Sequence, residues 1–171
     1  MQFSVGVEYA IHSLFYMICI PTGKTVAIKE LAELNGLTET YLSKIFTKLR
    51  KGGIVRSVSG VKGGYELAKG ADEISFWDIV ESIEGSSYMF QCAEIRQNNI
   101  FGKNDMVVDQ TKKMDKFDKP CPCLIKVVMV DAEEQMRNYL REKSLQWLFD
   151  HVIDDFTDSK KEEMFEWARN R

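Results

Sequence analysis

The sequence predicts a mainly α fold with a small β-wing: a winged helix-turn-helix followed by a long dimerisation helix. Three observations carry that prediction. Two amphipathic helical segments meet at Asn35-Gly36-Leu37, and two short alternating segments flank the glycine-rich turn Ser59-Gly60-Val61-Lys62-Gly63. Apolar residues then recur every four positions from Leu124 to about Lys143. With 171 residues and 44% hydrophobic content, the chain suits one domain with an extension and can fill a packed core.

Taken in order, residues 4–20 read as an opening helix, with Val5, Ile11, Leu14, Phe15 and Ile18 on its buried side and Pro21-Thr22-Gly23 as its stop. Residues 26–34 form a short helix burying Ile28, Leu31, Ala32 and Leu34. Gly36 permits the left-handed backbone that a sharp helix exit needs. Thr38 caps a second helix with Leu42, Ile45, Phe46 and Leu49 on its apolar face, ended by Gly52-Gly53. Ile54–Val58 and Gly64–Leu67 alternate as strands. Ser75 caps a further helix through Phe76, Ile79, Val80 and Ile83, which Gly85 ends.

Residues 86–120 are polar and without sustained periodicity, a long loop of the kind that often carries function. In the helix that follows, Leu124, Val128, Ala132, Met136 and Leu140 form a stripe widened by Val127 and Tyr139. It is too long to lie against a small winged helix alone, so its own copy in a two-fold homodimer is the economical partner. Ser144 starts a return helix through Leu145, Trp147, Leu148 and Val152. Met164, Phe165 and Trp167 suggest a last amphipathic turn or two in an acidic tail. The expected organisation is 1–85 winged helix-turn-helix, 86–122 loop, 123–153 dimerisation and return helices, and 154–171 tail.

Charge supports a nucleic-acid role for one segment only. The whole chain has a net charge of −3, yet residues 44–69 hold seven Lys and Arg against Glu66 alone. From residue 131 onward acids outnumber bases, eleven to seven. A polarised, near-neutral protein fits a sequence-specific reader of double-stranded DNA with a separate non-DNA half. A helix-turn-helix lays its second helix in the major groove. Thr38, Tyr41, Ser43 and Lys44 are therefore candidate groove contacts, and Lys48 and Arg50 candidate phosphate contacts. Lys62 and Tyr65 reach from the wing, with Arg56 at its base. For Tyr41 and Tyr65, packing is the alternative role.

No apolar run reaches the roughly 18 to 20 residues that cross a bilayer. Glu8 and His12 interrupt the first twenty residues without a basic n-region, so no signal peptide is expected and a cytoplasmic location is. Structural disulfides are rare in that compartment, which leaves Cys19, Cys92, Cys121 and Cys123 needing another explanation. Cys19, in an apolar stretch, reads as a core cysteine. Cys121-Pro122-Cys123 sets two thiols just before a helix N-terminus, which favours thiolate. They read either as ligands of a thiophilic centre or as two surface thiols. Glu8 and His12, four residues apart on one helix face, read either as metal ligands or as an ordinary side-chain pair. No nucleotide-binding glycine loop, nucleophile elbow or zinc-protease pattern occurs, so an enzyme is not expected.

The strings Gly6-Val-Glu-Tyr-Ala, Leu42-Ser-Lys-Ile-Phe-Thr-Lys-Leu-Arg-Lys-Gly-Gly-Ile-Val-Arg-Ser, Gly60-Val-Lys-Gly-Gly-Tyr-Glu-Leu-Ala and Ile74-Ser-Phe-Trp-Asp-Ile-Val-Glu-Ser-Ile-Glu-Gly belong to a pattern that runs from Met1 to about Val152. Together they resemble the family of bacterial dimeric winged-helix regulators that includes IscR and NsrR, and within it the redox-sensitive RsrR type. The resemblance implies a homodimer on a DNA operator that senses redox, nitrosative or oxidative signals through a [2Fe–2S] cluster. It implies Glu8 and His12 of one chain, with Cys121 and Cys123 of the other, as ligands, and Cys92 as the reserve ligand. Phe90-Gln-Cys-Ala-Glu-Ile-Arg-Gln resembles the segment bearing that type's non-ligating cysteine.

The common family pattern of three cysteines, roughly five residues between neighbours, is absent. Here 28 residues separate Cys92 from Cys121. A cluster-free or zinc- or thiol-based regulator of the same fold, controlled by cysteine chemistry or a partner protein, is the alternative.

Overall fold

A computed structural model describes residues 3–60, 63–93 and 123–171. The chain divides into two compact units, residues 1–86 with 138–171, and residues 87–137. The return helix and the tail thus join the unit that holds the helix-turn-helix.

In the first unit, helix α1 (Val5–Ile18) buries Val7, Ala10, Leu14, Phe15 and Met17. Val5 is half exposed rather than in the core, because the buried stripe runs through Val7 and Ala10 on the other side. Helix α2 (Ile28–Leu34) starts two residues later than the periodicity suggests, since Val26 is used in an isolated bridge. The Val26 backbone exchanges two hydrogen bonds with that of Tyr65, at 3.0 and 2.9 Å. Leu31 and Ala32 are buried, while Leu34 is exposed. The Glu30 carboxylate accepts the Ala27 N–H and so satisfies a free donor at the start of α2.

Helix α3 (Glu39–Lys51) follows, its N-cap Thr38 hydroxyl accepting from the Tyr41 N–H at 3.4 Å. Leu42, Ile45, Phe46 and Leu49 are all buried, as the spacing predicts. Burial of such side chains contributes about 1.5–3 kcal/mol each. Strands β1 (Val55–Val58) and β2 (Gly64–Leu67) pair antiparallel with Arg56 opposite Glu66, and they form the wing. A short 3-10 turn leads to α4 (Phe76–Glu84), whose N-cap Ser75 and Asp78 make a reciprocal capping box.

Helix α5 (Leu124–Glu142) runs from the second unit into the first. Helix α6 (Leu145–Ile153) is capped by Ser144, and Ser75 and Ser144 form an isolated bridge. Phe76 donates to the Lys143 carbonyl and Leu145 to that of Ile74, each at 2.8 Å, which stitches two helix starts together. Helix α7 (Asp158–Arg169), capped by Thr157, is longer than the turn or two expected. It buries Met164 and Ala168 and leaves Phe165 exposed. Trp167 meets Tyr16 edge-on at 6.4 Å, Phe156 meets Phe15 at 6.2 Å, and Arg171 pairs with Glu30 at 2.9 Å.

In the second unit, α5 buries Val130, Glu133 and Arg137. The guanidinium of Arg137 pairs with the Glu133 carboxylate, which also accepts the Met89 N–H at 3.0 Å. Arg137 donates to the Ser87 carbonyl at 3.2 Å and lies over the Tyr88 ring at 4.4 Å. Periodicity alone misses this charged side of the helix. Leu124, Ile125 and Val128, by contrast, are 76%, 68% and 64% exposed, an open apolar face at the start of α5. Among the described residues no helix is long and apolar enough to cross a membrane.

Two stability predictions follow from buried polar groups. Asn35 Nδ2 donates to the fully buried Ser13 hydroxyl at 3.2 Å and to the Leu31 carbonyl at 2.7 Å, pinning the turn to α1. Asn35→Ala should cost about 1–3 kcal/mol in denaturant unfolding. Glu133→Ala removes the carboxylate paired with the buried Arg137 and the acceptor of the Met89 N–H, and should cost about 3–5 kcal/mol. The double change Glu133→Leu with Arg137→Met should recover most of that loss.

Candidate nucleic-acid interface

Because one side of α3 is buried, its polar residues share the other. Thr38, Tyr41 and Lys44 are exposed and Ser43 is half-buried. Thr40, Lys44, Thr47 and Lys51 recur at i, i+4, i+7 and i+11 along the exposed face. Thr40 and Thr47 were not among the residues the sequence singled out, and Lys51 was counted only in the basic segment; the signal was their helical spacing opposite Leu42 and Phe46. Thr47 spends its hydroxyl proton on the Ser43 carbonyl at 2.8 Å, so it faces outward as an acceptor. Arg50 is exposed near the end of the helix. Lys48 Nζ donates to the Ile83 carbonyl at 2.8 Å, an engagement its sequence position does not reveal.

On the wing, Arg56 Nε pairs with Glu66 Oε1 at 2.8 Å, while its side chain stays 64% exposed. Cross-strand register places these two directly opposite, so part of the guanidinium is used within the wing. The Tyr65 ring meets Phe46 edge-on at 5.0 Å, which is the packing role left open for it. Tyr41 keeps one side exposed and meets Tyr9 edge-on at 6.0 Å. Lys62 lies outside the described residues.

The candidate ligands fall on two elements. Glu8 and His12 are both exposed, one turn apart on α1. Cys123 is half-buried and opens α5, its carbonyl accepting the Val127 N–H at 2.9 Å. Cys92 is half-buried in the second unit, and Cys121 lies outside the described residues. Among the described residues no three His, Cys, Asp or Glu side chains gather to hold a metal ion. As a donor set, two thiols with an imidazole and a carboxylate suit an iron–sulfur centre. The exposure of Glu8 and His12 leaves both open to donors from a second chain. Cys19 is different in kind: burial pushes its thiol up to about 11, which suppresses the thiolate at neutral pH.

With this arrangement in view, residues 3–151 match the sequence profile of Rrf2, described as an iron-dependent transcriptional regulator. The chain belongs to the Rrf2 family. A relative in Bacillus subtilis (strain 168), named for an HTH-type transcriptional regulator and called YwgB, is 25% identical over 152 residues, covering 89% of this chain and 86% of its own. The solved structure of T. potens IscR superposes with a TM-score of 0.63 at 23% identity, covering 92% of each chain. CymR, the global cysteine regulator of B. subtilis, superposes with a TM-score of 0.60 at 19% identity, covering 88% of this chain and 98% of its own. The winged-helix fold expected from the sequence is the fold shared with these structures. The protein is a DNA-binding transcriptional regulator of this family, not an enzyme.

The thiols should separate by reactivity. Alkylation of the folded, metal-free protein with iodoacetamide at mildly alkaline pH, mapped by mass spectrometry, should label Cys19 more slowly than Cys92.

Proposed function

We propose that the protein is a homodimeric regulator that reads a DNA operator and senses redox, nitrosative or oxidative signals through a [2Fe–2S] cluster shared between its two copies. The observation that carries this reading is the contact of Tyr9, next to Glu8, with Tyr41 on α3. A change in what Glu8 and His12 hold is therefore one aromatic contact away from the recognition helix. Glu8 and His12 of one copy, with Cys121 and Cys123 of the other, would hold the cluster, and Cys92 stands in reserve for Cys121. When bound, the cluster would supply a charge that changes by one electron at this ligand set.

The exposed Leu124, Ile125 and Val128 support the homodimer, since a second copy of α5 would remove that apolar surface from water. Thr38, Tyr41, Ser43 and Lys44 are the proposed groove contacts, joined by Thr40 and Thr47. Arg50 and Lys51 are the proposed phosphate contacts, and Lys62 and Arg56 add charge from the wing. Ligand changes at α1 would then shift the population between two spacings of the recognition helices. A colourless thiol- or zinc-controlled regulator is the second reading, favoured by the half-buried cysteines Cys92 and Cys123.

Visible spectra with iron and sulfide analysis of protein purified without oxygen decide between them. A red-brown protein with about two irons and two sulfides per cluster supports the first reading. Cys123→Ala should then lose colour and signal response while remaining a folded dimer. A colourless, iron-free wild type that still binds DNA would favour the second. Selection from random duplexes should yield an operator of two half-sites. Arg50→Met should lower the magnitude of its log–log salt slope by about one per subunit.

A further inference from the structure

The C-terminal end of α4 is tied to two other helices by polar contacts that the apolar core does not require. Lys48 Nζ, from the second half of α3, donates to the Ile83 carbonyl at 2.8 Å. One residue on, Glu84 Oε1 accepts the Ser4 N–H at 2.9 Å, at the head of α1. A hydrogen bond from the Ser4 side chain first, then the Ser4 N–H and the nearby Lys48 charge, hold the Glu84 carboxyl below the usual carboxylate range against the opposing effect of burial. The ammonium is well placed electrostatically, because the last carbonyls of a helix carry its partial negative charge.

Backbone approach reinforces the junction. A Cβ on Gly52, the C-cap of α3, would collide with the Ser82 hydroxyl and stand 2.9 Å from the Ser82 Cβ. The absence of a side chain at Gly52 thus lets α3 lie this close to α4.

We propose that Lys48, Ile83 and Glu84 form a clamp that fixes the tilt of α3 against α1 and α4, with Lys48 a positioning residue in DNA reading rather than a phosphate contact. Lys48 is exposed and spends one of its three ammonium donors on Ile83, so a phosphate would have to share this ammonium with the clamp rather than hold it alone. The clamp also sits where α4 ends, immediately before the segment that bears Cys92, so it lies on the covalent path from that segment to the recognition helix. The proposal rests on DNA reading by the dimer and needs no cluster.

Salt titrations of the full-length dimer on its selected operator test it. Lys48→Met keeps the aliphatic stem and loses the donor. Its affinity should fall severalfold while the log–log salt slope stays at the wild-type value, in contrast to Arg50→Met. Lys48→Arg, which still carries a donor, should recover most of the affinity. Glu84→Ala gives a test by sign: removing an acid from the DNA-binding unit tightens binding through charge alone, whereas loss of the clamp weakens it.

A slope that drops in Lys48→Met as in Arg50→Met would overturn the proposal. So would tighter binding by Glu84→Ala, or unchanged affinity in both variants. Circular dichroism checks folding, and if Lys48→Met does not fold, the sign of the Glu84→Ala effect decides. Failure of the wild type to select any duplex would overturn the DNA reading itself, and the clamp with it.

Discussion

The burial of one side of α3 is the constraint on which the rest of the molecule depends. Leu42, Ile45, Phe46 and Leu49 leave no freedom for the helix to roll, since any rotation would expose apolar surface and bury charge. The polar stripe therefore faces solvent as a fixed array. The wing is hung from the same helix, because Phe46 supports the Tyr65 ring and the Tyr65 backbone is held by Val26. Helix α1 reaches the array through Tyr9, and α4 reaches it through Ile83. A recognition helix supported from three sides can be shifted as a unit, which a loosely attached one cannot.

What was legible in the sequence was whatever obeys a local period. Leu42, Ile45, Phe46 and Leu49 announce α3, and the capping residues Thr38, Ser75 and Ser144 mark three helix starts within a residue. What was hidden depends on partners distant in the chain. Nothing local says that Lys48 meets a carbonyl 35 residues away, or that Glu133 and Arg137 are buried rather than solvated. The spacing of that pair is the usual one for an exposed helical ion pair, and only the folded chain around Ser87–Met89 reverses its meaning. Val5 was misplaced for a related reason: an opening helix rich in apolar residues offers more than one plausible face. The candidate ligands were legible through resemblance. The structure adds that Glu8 and His12 are exposed and that Cys123 opens α5.

Charge in this protein acts at two ranges. The summed excess of cations over residues 44–69 sets a field that attracts a polyanion whatever the internal pairing. Short-range contacts are scarcer, because Lys48, Arg56 and Lys69 already meet Ile83, Glu66 and Asp78. Encounter with DNA and discrimination among DNA sequences therefore rest on different subsets of the same residues. That separation lets internal pairs stiffen the reading head without discharging it.

Helix α7 lies beyond residues 3–151, the part matched to the family, yet it is not a loose appendage. It buries Met164 and Ala168, sets Trp167 against Tyr16 of α1, and Arg171 reaches the first turn of α2. Helix α7 is thus a brace joining the helix that carries Glu8 and His12 to the scaffold of the helix-turn-helix. The stiffness between them is adjustable by substitutions in α7 that touch neither the polar face of α3 nor Glu8 and His12. Two regulators with identical reading residues and identical ligands could, through this brace alone, answer the same signal with different gain.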